Sequence, residues 1–342
     1  MPVPAAAGPS ATFLRLPSVF PAVREYAFEL ALCAHLEETT DWLPARQLGG
    51  AVASPGSRIV DICGVVPGPD FEARARITSE TIPALAIESD VGRGQAVSRR
   101  SAFDCHPERA REVAETACEV GFFEREHRGN RTYLRRTTRY PDDWFAELVA
   151  IENKPDLGTP GDLDRQLRVD TALGLFDRVV LATESYVTRA HLNRIPDAVG
   201  VWRFDPESGD REVVREPTSF DPTDPGVEPV AEHALQTDIE LVSPEQKARK
   251  RRRIAEKAYG KGWRPESYPA CGNACVTDAG LPFCEHFDRV VDPASDCGAN
   301  CPAHDPADPP AADTERLRAE RTRWVADPPG VARRQSGLDR WS

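Results

Sequence analysis

The chain has 342 residues, a formal net charge of −12 and an isoelectric point near 5.2. That length allows two or three domains, and the lack of any run of about 18 apolar residues excludes a membrane-spanning helix. Arginine outnumbers lysine 38 to 5 in a chain with excess acid; this suits a salt-rich cytoplasm, where an acidic surface keeps protein dissolved, and it does not exclude a nucleic-acid partner.

Residues 1–12 read as a flexible tail, and Met1 to Leu16 lacks a basic segment followed by an apolar core, so a cytoplasmic protein without an export signal is expected. A helix is predicted over Arg24 to Glu38, with Glu29 alone among apolar neighbours. Arg58 to Val66 reads as a strand ended by Pro67-Gly68-Pro69, with Asp61 alone in an apolar setting. Such carboxylates are costly unless paired or metal-bound.

Residues 70–140 differ in character. Helices are predicted at Ser79 to Asp90 and Pro107 to Glu119, followed by a hairpin, 122–127 and 131–136, around Gly129-Asn130. Helix, helix, hairpin is the order of a winged helix. Arg128, Arg131, Arg135, Arg136 and Arg139 lie in a stretch without acid. A basic hairpin is what a wing on a DNA backbone needs, and it is also what a salt-bridged surface on a small insert would show.

Trp144 to Lys154 reads as an apolar strand ending in Glu152-Asn153-Lys154. Lys154 is the only lysine before residue 247. Lysine is a compact point charge where arginine is a broad fork, and strand alternation puts Glu152 and Lys154 on one face. A carboxylate beside an ammonium suits metal-assisted phosphodiester hydrolysis; the plainer alternative is a surface ion pair. A helix over Gly161 to Phe176, an apolar strand at 178–183, a helix over Ser185 to Asn193 and a hairpin (199–204, 211–214) follow. Strand, helix, strand implies a parallel pair.

Residues 216–246 are rich in proline and acid and read as a linker. Residues 247–264 reverse sign, with Arg251, Arg252 and Arg253 at the centre, and read as a basic helix open to a phosphate backbone or simply to water. Beyond about 306 the composition predicts disorder around a short helix at 314–324.

A helical glutamate, an aspartate on an apolar strand, Glu-x-Lys on the next core strand, and a helix with Gln166-Leu167-Arg168-Val169-Asp170 together resemble the PD-(D/E)xK nuclease superfamily. The resemblance covers roughly 20–66 and 143–215. It implies an α/β, restriction-endonuclease-like mixed sheet flanked by helices. The core would be discontinuous (13–66 and 141–215), interrupted by a winged-helix-like insertion at 70–140. It implies Asp61 and Glu152 as ligands of Mg²⁺ or Mn²⁺, Lys154 acting on the attacking water, Glu29 as an auxiliary carboxylate, and Gln166 as the glutamine of the RecB-like branch. Asp170 stands where that branch has an aromatic, and Val60 stands where a proline commonly precedes the aspartate. Arg128, Arg131, Arg135, Arg136 and Arg251 to Arg253 would be the DNA-binding residues. The whole chain also resembles proteins of halophilic archaea.

The last feature is a cysteine-rich module at 265–306. Cys271-x3-Cys275 and Cys297-x3-Cys301 are near repeats, with Cys284-Glu285-His286 between them and His304 after. Two such pairs can place four thiolates, Cys271, Cys275, Cys297 and Cys301, around Zn²⁺, with Cys284, His286 or His304 as substitute ligand. A [4Fe–4S] cluster, or unligated or disulfide-bonded cysteines, remain open.

Overall fold

A computed structural model describes residues 21–92, 94–159 and 161–330; the predicted tail at 1–12 lies outside them. The chain opens with helix α1 (Pro21–Thr39) and strands β1 (Leu43–Gly49) and β2 (Ile59–Pro67). An insertion follows: α2 (Phe71–Ala75), α3 (Ala84–Glu88), β3 (Val97–Ser98), α4 (Arg99–Ala102), α5 (Pro107–Glu119), β4 (Phe123–Arg128) and β5 (Arg131–Arg136). The main sheet resumes with β6 (Phe145–Asn153), α6 (Leu163–Leu173), β7 (Arg178–Thr183), α7 (Arg189–Leu192), β8 (Gly200–Phe204) and β9 (Arg211–Arg215). Then come β10 (Gly226–Glu232), β11 (Thr237–Val242), α8 (Pro244–Lys261), β12 (Ala274–Val276), β13 (Pro282–Cys284), β14 (Arg289–Val290) and α9 (Thr314–Arg321).

The architecture is mixed α/β. Six strands in the order β1-β2-β6-β7-β8-β9 form one mixed sheet: β6, β7 and β8 are parallel, and the remaining pairs are antiparallel. Helices cover both faces, so β6 is apolar on both. Val149 and Ile151 pack with Phe28, Leu32 and Leu36 of α1. Leu148 and Ala150 lie in the opposite core with Leu167 of α6 and Ile254 and Ala258 of α8. Among the described residues no helix is long and apolar enough to cross a membrane.

Several expected elements differ. The helix predicted over 79–90 shrinks to α3, because Pro83 disfavours helical backbone in the residue before it and itself becomes the N-cap. The helix predicted over 185–193 shrinks to α7, which starts only at the Thr188 capping box. Residues 216–246 are not a free linker. There β10 and β11 pair, and Glu228, 1% exposed, accepts the backbone N–H groups of Val52, Ala53 and Ser54 at 2.8–3.1 Å. The chain from 307 to 330 is also ordered: Arg318 is buried and donates to the Ala258 carbonyl (2.9 Å), and the rings of Trp324 and Tyr259 meet at 6.5 Å.

The basic helix is also a core helix. Ser243 and Gln246 cap α8 reciprocally, and Ile254, Ala255, Ala258 and Tyr259 are buried. Arg251 donates to the Leu175 carbonyl and to Asp177, both at 2.7 Å. It is spent inside the fold and is not available to DNA. Arg252 stays half-buried, and exposed Arg253 pairs with Glu88.

Candidate functional site

The backbone ladder between β2 and β6 runs to the pair Ile62–Ile151. One step further, the Asp61 carboxylate takes over and accepts the Asn153 N–H at 2.9 Å. Asp61 therefore stands opposite Glu152, where the two strands part. Glu152 is 2% exposed and accepts from the Arg58 guanidinium, which also donates to both oxygens of Asp170 on α6 (3.0 and 2.6 Å). Burial pushes the Glu152 carboxyl up to about 8; Asp61 adds to the rise and Arg58 opposes it. Burial lifts Asp61 to about 6, against the Asn153 N–H and with help from Glu29. Burial also raises Asp170, with Arg58 opposing. In both Glu152 and Asp170 the cost of desolvating the charge exceeds what Arg58 returns.

Glu29 of α1 lies beyond Asn153, whose Nδ2 donates to it at 3.0 Å; Arg46 and Gln47 fill the rest of its oxygens. Gln47 reaches it from a left-handed backbone (φ 55°), which turns its side chain away from the regular pleat. Lys154 departs from expectation. Strand β6 ends at Asn153, so alternation no longer fixes Lys154, and its Nζ pairs with Glu25 of α1 at 2.5 Å. Gln166 is half-buried on α6, one turn before Asp170.

Three members of this cluster escaped sequence reasoning: Arg58, Asn153 and Asp170. Asp170 carried a signal, since Leu163, Leu167, Asp170 and Leu173 share the buried face of α6. Arg58, one of 38 arginines, carried none.

The candidate DNA-contacting arginines divide. Arg135 of β5 pairs with Glu124, which stands opposite it on β4 (2.7 Å), and Arg128 pairs with Glu126 two residues earlier on its own strand (3.0 Å). Arg136 donates to the carbonyls of Ala86, Ile87 and Ser89, which makes it a strut beneath the hairpin. Arg131 at the turn is exposed.

In the C-terminal module, one cavity is lined by Cys271, Cys284, Cys297, Cys301 and His304. Cys275 is not among them. Ala274 pairs with Cys284 and lines the cavity with it, so the next residue, Cys275, turns to the other face of β12. Burial raises the Cys297 thiol to about 11, and Asp296 and the other three cavity cysteines add to it. Among the described residues, no three His, Cys, Asp or Glu side chains already stand in ion-binding geometry.

A model for a family of unknown function (DUF5787) matches residues 43–306. That span includes Asp61, Glu152 and all five clustered cysteines but begins after Glu29. No curated protein and no solved structure matches the chain.

Proposed function

We propose that this chain, which belongs to the DUF5787 family, is a nuclease that hydrolyses DNA phosphodiester bonds with Mg²⁺ or Mn²⁺ at the Asp61–Glu152 site. The observation that carries this reading is the pair of carboxylate residues at opposite positions where β2 and β6 part, both raised in pKa. Once Glu152 gives up its proton, Asp61, Glu152 and Asp170 outnumber the single guanidinium of Arg58, so the fully ionised cluster is short of positive charge. A hard divalent cation fits such a site: Mg²⁺ is commonly held by one or two carboxylates, with water and phosphate oxygens completing the shell. Asp61 and Glu152 would hold it. When bound, such an ion polarises a phosphoryl oxygen and generates a nucleophile from water near neutral pH.

The chain's own groups set the rest. The Asn153 N–H aims the Asp61 carboxylate. Glu152 holds a proton near neutral pH and releases it on ligating. Arg58, anchored on Asp170, orients Glu152. Lys154, once it leaves Glu25, offsets charge on the scissile phosphate; Gln166 lies at the site's edge on α6. The resemblance to PD-(D/E)xK nucleases supports a restriction-endonuclease-like core. The order α3, β3, α4, α5, β4, β5, with the three strands arranged β3-β5-β4, supports a winged-helix-like insertion that presents Arg131 to a DNA backbone.

The test is a cleavage assay in high KCl with Mg²⁺ or Mn²⁺ on duplex, single-stranded and branched DNA, beside Glu152→Gln. Metal-dependent cleavage lost in that variant is the expected result. The Arg58 guanidinium lying on Glu152 favours a second reading, a DNA-binding protein on a nuclease-like scaffold that has lost catalysis. Binding without cleavage under every metal would select it.

A further inference from the structure

The cysteine cavity is separate from the acidic site and plays no part in the proposed hydrolysis. Its walls come from three places in the chain. Cys271 sits at the entry to β12, where it bridges to Pro306. Cys284 ends β13, and Cys297 and Cys301 flank a short turn in which the Cys301 N–H donates to the Gly298 carbonyl (3.0 Å). Cys271 and Cys284 are each 8% exposed, and all nine cysteines of the chain are free thiols. The Asp305 N–H donates to the Cys271 sulfur at 3.5 Å. Arg289 and Asp296 also line the cavity and pair with each other at 3.1 Å.

The cavity is small, about 20 Å³, enough as it stands for one water-sized sphere or a single ion. Four sulfurs from three segments around one atom-sized space suit the tetrahedral thiolate sites of structural zinc. Few large apolar side chains of this module are buried, Leu281 and Val291 among them, so a shared ligand could hold the segments together where core packing alone would not.

We propose that Cys271, Cys284, Cys297 and Cys301 bind one Zn²⁺ as a structural site, with His304 beside it and Cys275 outside it. Each thiol that ligates gives up its proton to solvent, and the four sulfurs close on the ion from their present places around the cavity.

Purified full-length protein, grown with zinc and iron both available, should carry about one zinc per chain and no labile sulfide. Cys284→Ser should lose the zinc, and Cys275→Ser should keep it. Should Cys284→Ser fail to fold, alkylation of the native protein before and after chelation decides the question, mapped by mass spectrometry. Chelation should unmask Cys271, Cys284, Cys297 and Cys301 together, and Cys275 should react equally in both states. Iron with sulfide, no metal at all, or protection of Cys275 in place of Cys284 would overturn the assignment.

Discussion

Replacing Arg58 with Met tests the physical core of the acidic site. The guanidinium makes two bonds to Asp170 and one each to Glu152 and the Ile59 carbonyl, and the three charged side chains are 5%, 1% and 3% exposed. Removing one partner of a buried ion pair leaves an uncompensated charge and typically costs about 3–5 kcal/mol. Glu152, raised to about 8, already carries a proton for much of the time at neutral pH, so the loss falls mainly on Asp170 and about 3 kcal/mol is expected. For a chain of this size that corresponds to a Tm lower by roughly 4 °C.

The sign of the pH dependence follows from the same groups. Without Arg58 the folded-state pKa of Asp170 rises further above its unfolded value, so the folded state loses stability as pH climbs past the unfolded carboxyl range. The gap between wild type and Arg58→Met should therefore widen from pH 5 to pH 8. Adding Asp170→Leu removes the stranded charge and should recover most of the loss, since apolar replacement of a buried ion pair is often neutral. Thermal unfolding followed by circular dichroism across that pH range is the assay. A Tm within about 2 °C of wild type, or a gap that narrows as pH rises, would refute the buried triad.

Four further outcomes are expected. Mn²⁺ binding, followed by calorimetry, should tighten between about pH 6 and 8, as the raised Asp61 and Glu152 carboxyls give up their protons; a flat profile would remove these two groups as ligands. Arg131→Ala should lower the salt slope of DNA binding by about one counterion with no change in Tm. Arg136→Ala should instead lower Tm, because it strips donors from three carbonyls; the opposite assignment of effects would show that the wing has been misread. Glu228→Ala should cost about 1.5–3 kcal/mol and raise amide exchange at Val52, Ala53 and Ser54, whose N–H groups lose a charged acceptor; unchanged exchange there would show that the loop holds itself.

The sequence by itself determined much of the sheet. Apolar runs at 58–66 and 178–183 and the hairpin at 199–214 carry their period and their turn residues in consecutive positions, so local pattern was enough to place β2, β7, β8 and β9. Lone charges in apolar stretches pointed to Glu29, Asp61 and Glu152 for the same reason, since burying an unpaired carboxylate is costly wherever it occurs. Tertiary structure alone decided who pairs with whom. Arg58 meets Asp170 across 112 positions of chain, and no periodicity records that distance. Lys154 turned to Glu25 because its strand stops one residue earlier. Arg135 of β5 lost its free charge because register, not composition, sets Glu124 opposite it. In the cysteine module the spacing suggested two Cys-x3-Cys pairs, but β12 alternates, and one step of pleat exchanges Cys275 for Cys284.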